Sequence, residues 1–125
     1  MCNYLRMHVD MRPADADADG GYIEPAVEIF AMLADATRIR LILALRDGEM
    51  SVSRLAEAVD KQPAAVSQHL AKLRMARMVT TRREGTTIHY ALTDEHALQL
   101  VTAALLQAEH SVDDVPRHHR ADGSR

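Results

Sequence analysis

Three observations predict a mainly α-helical fold with one small β-hairpin. The 125-residue chain has no Trp, one Phe and three Tyr, so its core must come from Leu, Ala, Ile, Val and Met. Ser51–Arg74 reads as two short amphipathic helices with a tight break at Asp60-Lys61-Gln62. Residues 78–92 then read as two alternating β-rich runs around Glu84-Gly85, which marks a turn. A helix-turn-helix followed directly by a hairpin is a winged helix-turn-helix.

The elements follow in order. Residues 1–22 form an acidic leader with too little apolar content to fold, and are expected to be disordered. The first helix runs from Ile23 to Leu33, with Val27, Phe30 and Leu33 inward. Asp35 caps a second helix, Arg38 to Arg46, which Asp47-Gly48 closes. Ser51 is the N-cap of a third helix that keeps Val52, Leu55, Ala56 and Val59 on one side. Pro63 opens the fourth helix, where its missing N–H would be unpaired anyway. That helix turns Val66, Leu70 and Leu73 inward, at spacings of four and three. Asp94 caps a final helix from Glu95 to about His110, apolar around most of its circumference. A helix so apolar at the end of a small chain packs on more than its own domain. The first and last helices are therefore expected to form a dimer interface. The folded domain spans 23–111, and 112–125 is a polar tail containing His118 and His119.

Charge is unevenly distributed. The formal total is −3, but residues 54–89 hold seven basic and three acidic side chains, +4. Residues 1–24 and 94–125 each sum to −3 and residues 25–53 to −1. The positive stretch coincides with the helix-turn-helix and hairpin, where DNA phosphates would lie. Gln62, Ala64, Ser67, Gln68, His69 and Lys72 are left mostly off the core. They are short or hydrogen-bonding side chains plus one cation, the equipment of a helix entering a major groove. Ser67, Gln68 and His69 would read base edges, and Lys72, Arg82 and Arg83 would hold phosphates. Arg82, Arg83 and Thr86, at the hairpin tip, would reach the backbone or the minor groove.

Other classes are excluded or disfavoured. One cysteine allows neither an internal disulfide nor an all-cysteine metal site. No apolar run is long enough for a membrane span and no signal-peptide pattern is present, so a cytoplasmic protein without a membrane partner is expected. No catalytic triad, Cys/His pair or phosphate loop suggests an enzyme or a small-molecule substrate.

With this order of elements, the chain resembles the ArsR/SmtB family of winged-helix repressors. The resemblance rests on Leu33-Ala34-Asp35-Ala36-Thr37-Arg38 with Ile39-Arg40-Leu41-Ile42, on Ser53-Arg54-Leu55-Ala56, on Ala65-Val66-Ser67-Gln68-His69-Leu70-Ala71-Lys72-Leu73, and on Gly85-Thr86-Thr87-Ile88-His89-Tyr90. It covers about residues 24–110. It implies a homodimer that binds double-stranded operator DNA at an inverted repeat and leaves when an inducer binds. Cysteine-based sites of the family need thiolates near the recognition helix or in the tail, and residues 51–75 have none.

The family's other site lies on the terminal helices, with an Asp, a His two residues on, and ligands eleven and fourteen beyond that His. Asp94, His96 and His110 fit, while the eleventh position is Gln107, a poor ligand. Glu109, His118 and His119 supply further nitrogen and oxygen donors, in an arrangement that resembles the family's KmtR-type nickel/cobalt sensors. His96 and His110 are roughly 21 Å apart along one helix. One ion cannot be held by both, but two antiparallel copies in a dimer bring start and end together. Donors beyond four favour Ni(II) or Co(II) over tetrahedral Zn(II). Cys2, as a terminal thiolate and amine, and His8 are further candidate ligands. The alternatives are a zinc-responsive repressor, one with a redox inducer at Cys2, and a DNA-binding protein without an effector.

Overall fold

The helices begin where their capping residues place them. The computed structural model describes residues 20–113, and the chain divides into two units, Met1–Ala31 and Met32–Arg125. In the first unit, helix α1 (Ile23–Leu33) starts directly after Tyr22, whose carbonyl accepts from the Ala26 N–H at 2.9 Å. Only Leu33, at the far end of α1 and already in the second unit, is buried. Val27 and Phe30 were expected inward; they are exposed, Phe30 by 59%. The period of three and four identifies an apolar stripe, but not what covers it.

The second unit carries the winged helix-turn-helix. Asp35, extended at φ −156°, accepts from the Arg38 N–H at 3.0 Å and caps α2 (Ala36–Ala44). That bond chiefly holds the Asp35 carboxyl below its usual range, against the opposing effect of burial and helped by the charges of Arg38 and His69. A short 3-10 turn, Leu45–Asp47, ends at Gly48, whose φ of 140° suits only glycine. Met50–Ser51 then forms a two-residue strand, β1. It was not expected, since two residues cannot show alternation. Ser51 also caps α3 (Val52–Val59), its Oγ accepting from the Arg54 N–H at 3.3 Å. Pro63 takes the first position of α4 (Pro63–Met75), as expected. The wing is β2 (Val79–Glu84) and β3 (Thr87–Leu92), paired antiparallel with Arg82 opposite His89 and Arg83 opposite Ile88. With β1 the sheet has three strands, in the order β1-β3-β2. Helix α5 runs His96–Asp113, three residues beyond His110. There Ser111 Oγ donates to the Gln107 carbonyl at 3.1 Å.

One core holds these elements. Leu41 and Ile42 of α2, Leu55 of α3, Val66, Leu70 and Leu73 of α4, and Val79 of β2 are almost wholly enclosed. Each such side chain contributes about 1.5–3 kcal/mol. Ala97 and Val101 dock the start of α5 on this core, and from Thr102 onward every described residue of α5 is exposed. The stripe nevertheless continues as Leu105, Ala108 and Val112, at steps of four, three and four from Val101.

Both helices of the helix-turn-helix end alike. The N–H groups of Lys61 and Asp60 bond the carbonyls of Ala56 and Glu57, and those of Met78 and Arg77 bond Leu73 and Arg74. These are Schellman closures, and they force Asp60 (φ 57°) and Arg77 (φ 63°) into the left-handed region. Aspartate tolerates that conformation better than arginine. Arg77→Gly is therefore expected to raise unfolding free energy by up to about 1 kcal/mol, and Asp60→Gly by less. Urea denaturation at a fixed protomer concentration checks the order. Asp35→Ala should cost about 0.5–2 kcal/mol through the lost cap. Because the folded state lowers the Asp35 pKa, its contribution is present above the unfolded carboxylate range. It is lost as pH falls through the lower native value. Asp35→Asn should accordingly flatten the acid limb of the stability profile.

Candidate nucleic-acid interface and metal donors

With Val66, Leu70 and Leu73 fixed inward, the outward face of α4 is decided by the helical period. Ala64, Ser67, Gln68, Ala71 and Lys72 are exposed there, with Met75 at the end, 83% exposed. Small side chains beside amides and hydroxyls let a helix approach base edges closely. Gln62 precedes the helix in extended conformation, and its side chain makes no cap bond.

His69 is placed differently from its neighbours. It lies on the flank of α4, its side chain one-quarter exposed, against the start of α2. Arg38 Nη1 lies 3.1 Å from His69 Nδ1, and Asp35 Oδ1 lies 3.9 Å from the same nitrogen. Arg38 Nε also donates to the Met32 carbonyl at 2.6 Å. Sequence reasoning assigned His69 to bases and gave Arg38 no role. The cap at Asp35 and the family-like motif Leu33–Arg38 marked that neighbourhood in advance, but not the contact with His69.

The wing's two arginines also differ. Arg82, its side chain still about half exposed, is paired with Glu49, its Nε donating to the two carboxylate oxygens at 3.0 and 3.1 Å. This pairing lowers the Glu49 carboxyl and raises the Arg82 guanidinium above their ordinary values. Arg83 is exposed and has no ion pair among the described residues. Gly85 (φ 64°) and Thr86 form the two-residue tip between paired Glu84 and Thr87.

The proposed metal donors of the described chain occupy the two ends of α5. Asp94 Oδ1 caps the helix by accepting from the His96 N–H at 2.8 Å, and lies 3.3 Å from His96 Nδ1. The His96 side chain is 81% exposed. Glu109 and His110 are exposed near the other end. Fourteen residues is nearly four turns, so His96 and His110 share one side of the helix. Among the described residues, no three His, Cys, Asp or Glu side chains converge as a metal site within one chain. Cys2, His8, His118 and His119 lie outside the described residues. No described helix is long and apolar enough to cross a membrane.

Comparison with known proteins agrees with this architecture. Residues 35–81, from the α2 cap to the start of the wing, match the model of the bacterial regulatory protein, arsR family. The chain is 61% identical over 97 residues to the HTH-type transcriptional regulator KmtR of Mycobacterium tuberculosis, covering 78% of this chain and 75% of that protein. Among solved structures, the AntR antimony-specific transcriptional repressor superposes with a TM-score of 0.68 at 33% identity, covering 84% of this chain and 98% of AntR. NolR from Sinorhizobium fredii gives 0.62 at 30% identity, covering 75% and 90%. The chain therefore belongs to the ArsR family of bacterial regulatory proteins, as a winged helix-turn-helix transcriptional repressor and not an enzyme.

Proposed function

We propose that this repressor is metal-responsive: its homodimer holds operator DNA when metal-free and releases it on loading with Ni(II) or Co(II). In the DNA-bound form α4 lies in the major groove, where Ser67 and Gln68 read base edges and Lys72 meets phosphate, while His69 on the flank is held by Arg38. An inverted-repeat operator matches the symmetry of two identical heads. The dimer would bury the exposed Ile23, Val27 and Phe30 of α1 and the exposed Leu105, Leu106 and Val112 of α5. A gene for metal efflux is the expected target, by resemblance.

The observation that carries the metal reading is the placement of donors at opposite ends of one exposed helix. Asp94 and His96 of one copy and the partner's Glu109 and His110 would complete a set of imidazole and carboxylate groups. His118 and His119 would add to it. Such donors suit Ni(II) and Co(II), and a count above four distinguishes them from Zn(II). A bound ion would supply a link between protomers, biasing the spacing of the two reading heads. A coupling of about 1–3 kcal/mol is typical of such control.

His110→Ala is expected to bind operator DNA like the parent protein in chelator and to lose its response to metal. Failure of that variant to bind DNA without metal would overturn the assignment. Co(II) titration of the apo protein should give the weak d–d bands of five or six ligands, absent in His96→Ala and His110→Ala. Intense tetrahedral bands would identify a zinc-type sensor instead. No specific binding would leave the inducer to redox chemistry at Cys2 or to none.

A further inference from the structure

One face of the wing carries a charged network that DNA binding as described leaves unused. Side chains alternate along β2, so Arg82 and Arg83 lie on opposite faces of the sheet. Arg82 shares its face with Glu84 and with His89, its register partner on β3. From β2 its guanidinium crosses β3 and reaches Glu49, beside β1. Nε contacts both oxygens of the carboxylate, and Nη2 engages one of them as well. Arg82 Nη2 also lies 3.4 Å from Glu84 Oε1, and His89 Nε2 lies 3.2 Å from that same oxygen. This is a strap across all three strands. Its anchor, Glu49, stands between Gly48 and β1, the segment that leads directly into α3.

Two consequences follow from the chemistry. A phosphate approaching Arg82 would have to displace Glu49 while facing the charge of Glu84, so two carboxylates already satisfy this one cation. A planar guanidinium holding a carboxylate through two of its nitrogens also fixes direction as well as distance, which a lysine would not do. We propose that Arg82 and Glu49 are a positioning pair that sets the attitude of the wing, and that Arg83 on the other face is the wing arginine that meets phosphate. The proposal rests on the wing touching DNA, which the Arg83 variant tests separately.

The experiment is a salt titration of binding to a fluorescent duplex from the promoter region of the chain's own gene, with the full chain in chelator. Urea denaturation confirms that each variant is folded. Arg83→Gln should lower the slope of log K against log salt by about one per wing engaged. Arg82→Gln should keep the parental slope and weaken binding about two- to fivefold at every salt concentration. Glu49→Gln should weaken binding in the same parallel way, although it removes a negative charge near DNA. Arg82→Lys, which keeps the charge but not the planar guanidinium, should not restore binding. The proposal is overturned if Glu49→Gln binds as tightly as the parent or tighter. It is equally overturned if Arg82→Gln loses slope, if Arg82→Lys recovers parental affinity, or if Arg83→Gln changes nothing.

Discussion

Burial of Val66, Leu70 and Leu73 decides what every other residue of the recognition helix can do. With these three enclosed, helical period alone turns Ala64, Ser67, Gln68, Ala71 and Lys72 outward. Leu41 and Ile42 of α2 and Leu55 of α3 complete the same core, so the presenting face is held by the whole unit and not by local propensity. Pro63 fixes the start of the helix, and the Schellman closure at Arg77 fixes its end and throws the chain into β2. The wing is thus aimed by the same packing that aims the helix.

Local codes were legible in the sequence because their partners are only a few residues apart. Asp35 and Ser51 each cap a helix through the backbone three residues on, and both did so where expected. The inward triplet of α4 was legible for the same reason, since helical period is a local property. What escaped were features set by distant partners or by too few residues. Strand β1 is two residues long and exists only because β3 offers it an edge. His69 meets Arg38 across 31 residues, and Arg82 meets Glu49 across 33. Strand alternation implies that Arg82 and Arg83 cannot share a face, but nothing local names the carboxylate that claims one of them. Exposure of Val27 and Phe30 is the converse case. Their stripe was legible, while helical period does not say what covers it.

The terminal helix shows the same division between what one chain supplies and what it leaves open. Ala97 and Val101 anchor its start, and beyond them Leu105, Ala108 and Val112 continue the stripe without cover. The donor groups follow this logic. Asp94 and His96 stand at the anchored end, and Glu109 and His110 near the projecting one. In the proposed metal site, both ends come together where two copies meet, and an ion there would act on dimer geometry rather than on the fold of either protomer.

The proposed control would require a stiff reading head. A change in the relative placement of two heads alters DNA affinity only if each moves as a body. The Arg38 contacts to Met32 and His69 tie the end of α1, the start of α2 and the recognition helix together. The Glu49–Arg82 strap does the corresponding work on the other side, joining the wing to the entry of α3. Both links use an arginine that carries positive charge yet is committed within the protein. The arginines and lysines of this chain thus divide in two: Lys72 and Arg83 remain exposed without an ion pair among the described residues, while Arg38 and Arg82 are engaged by other groups of the protein.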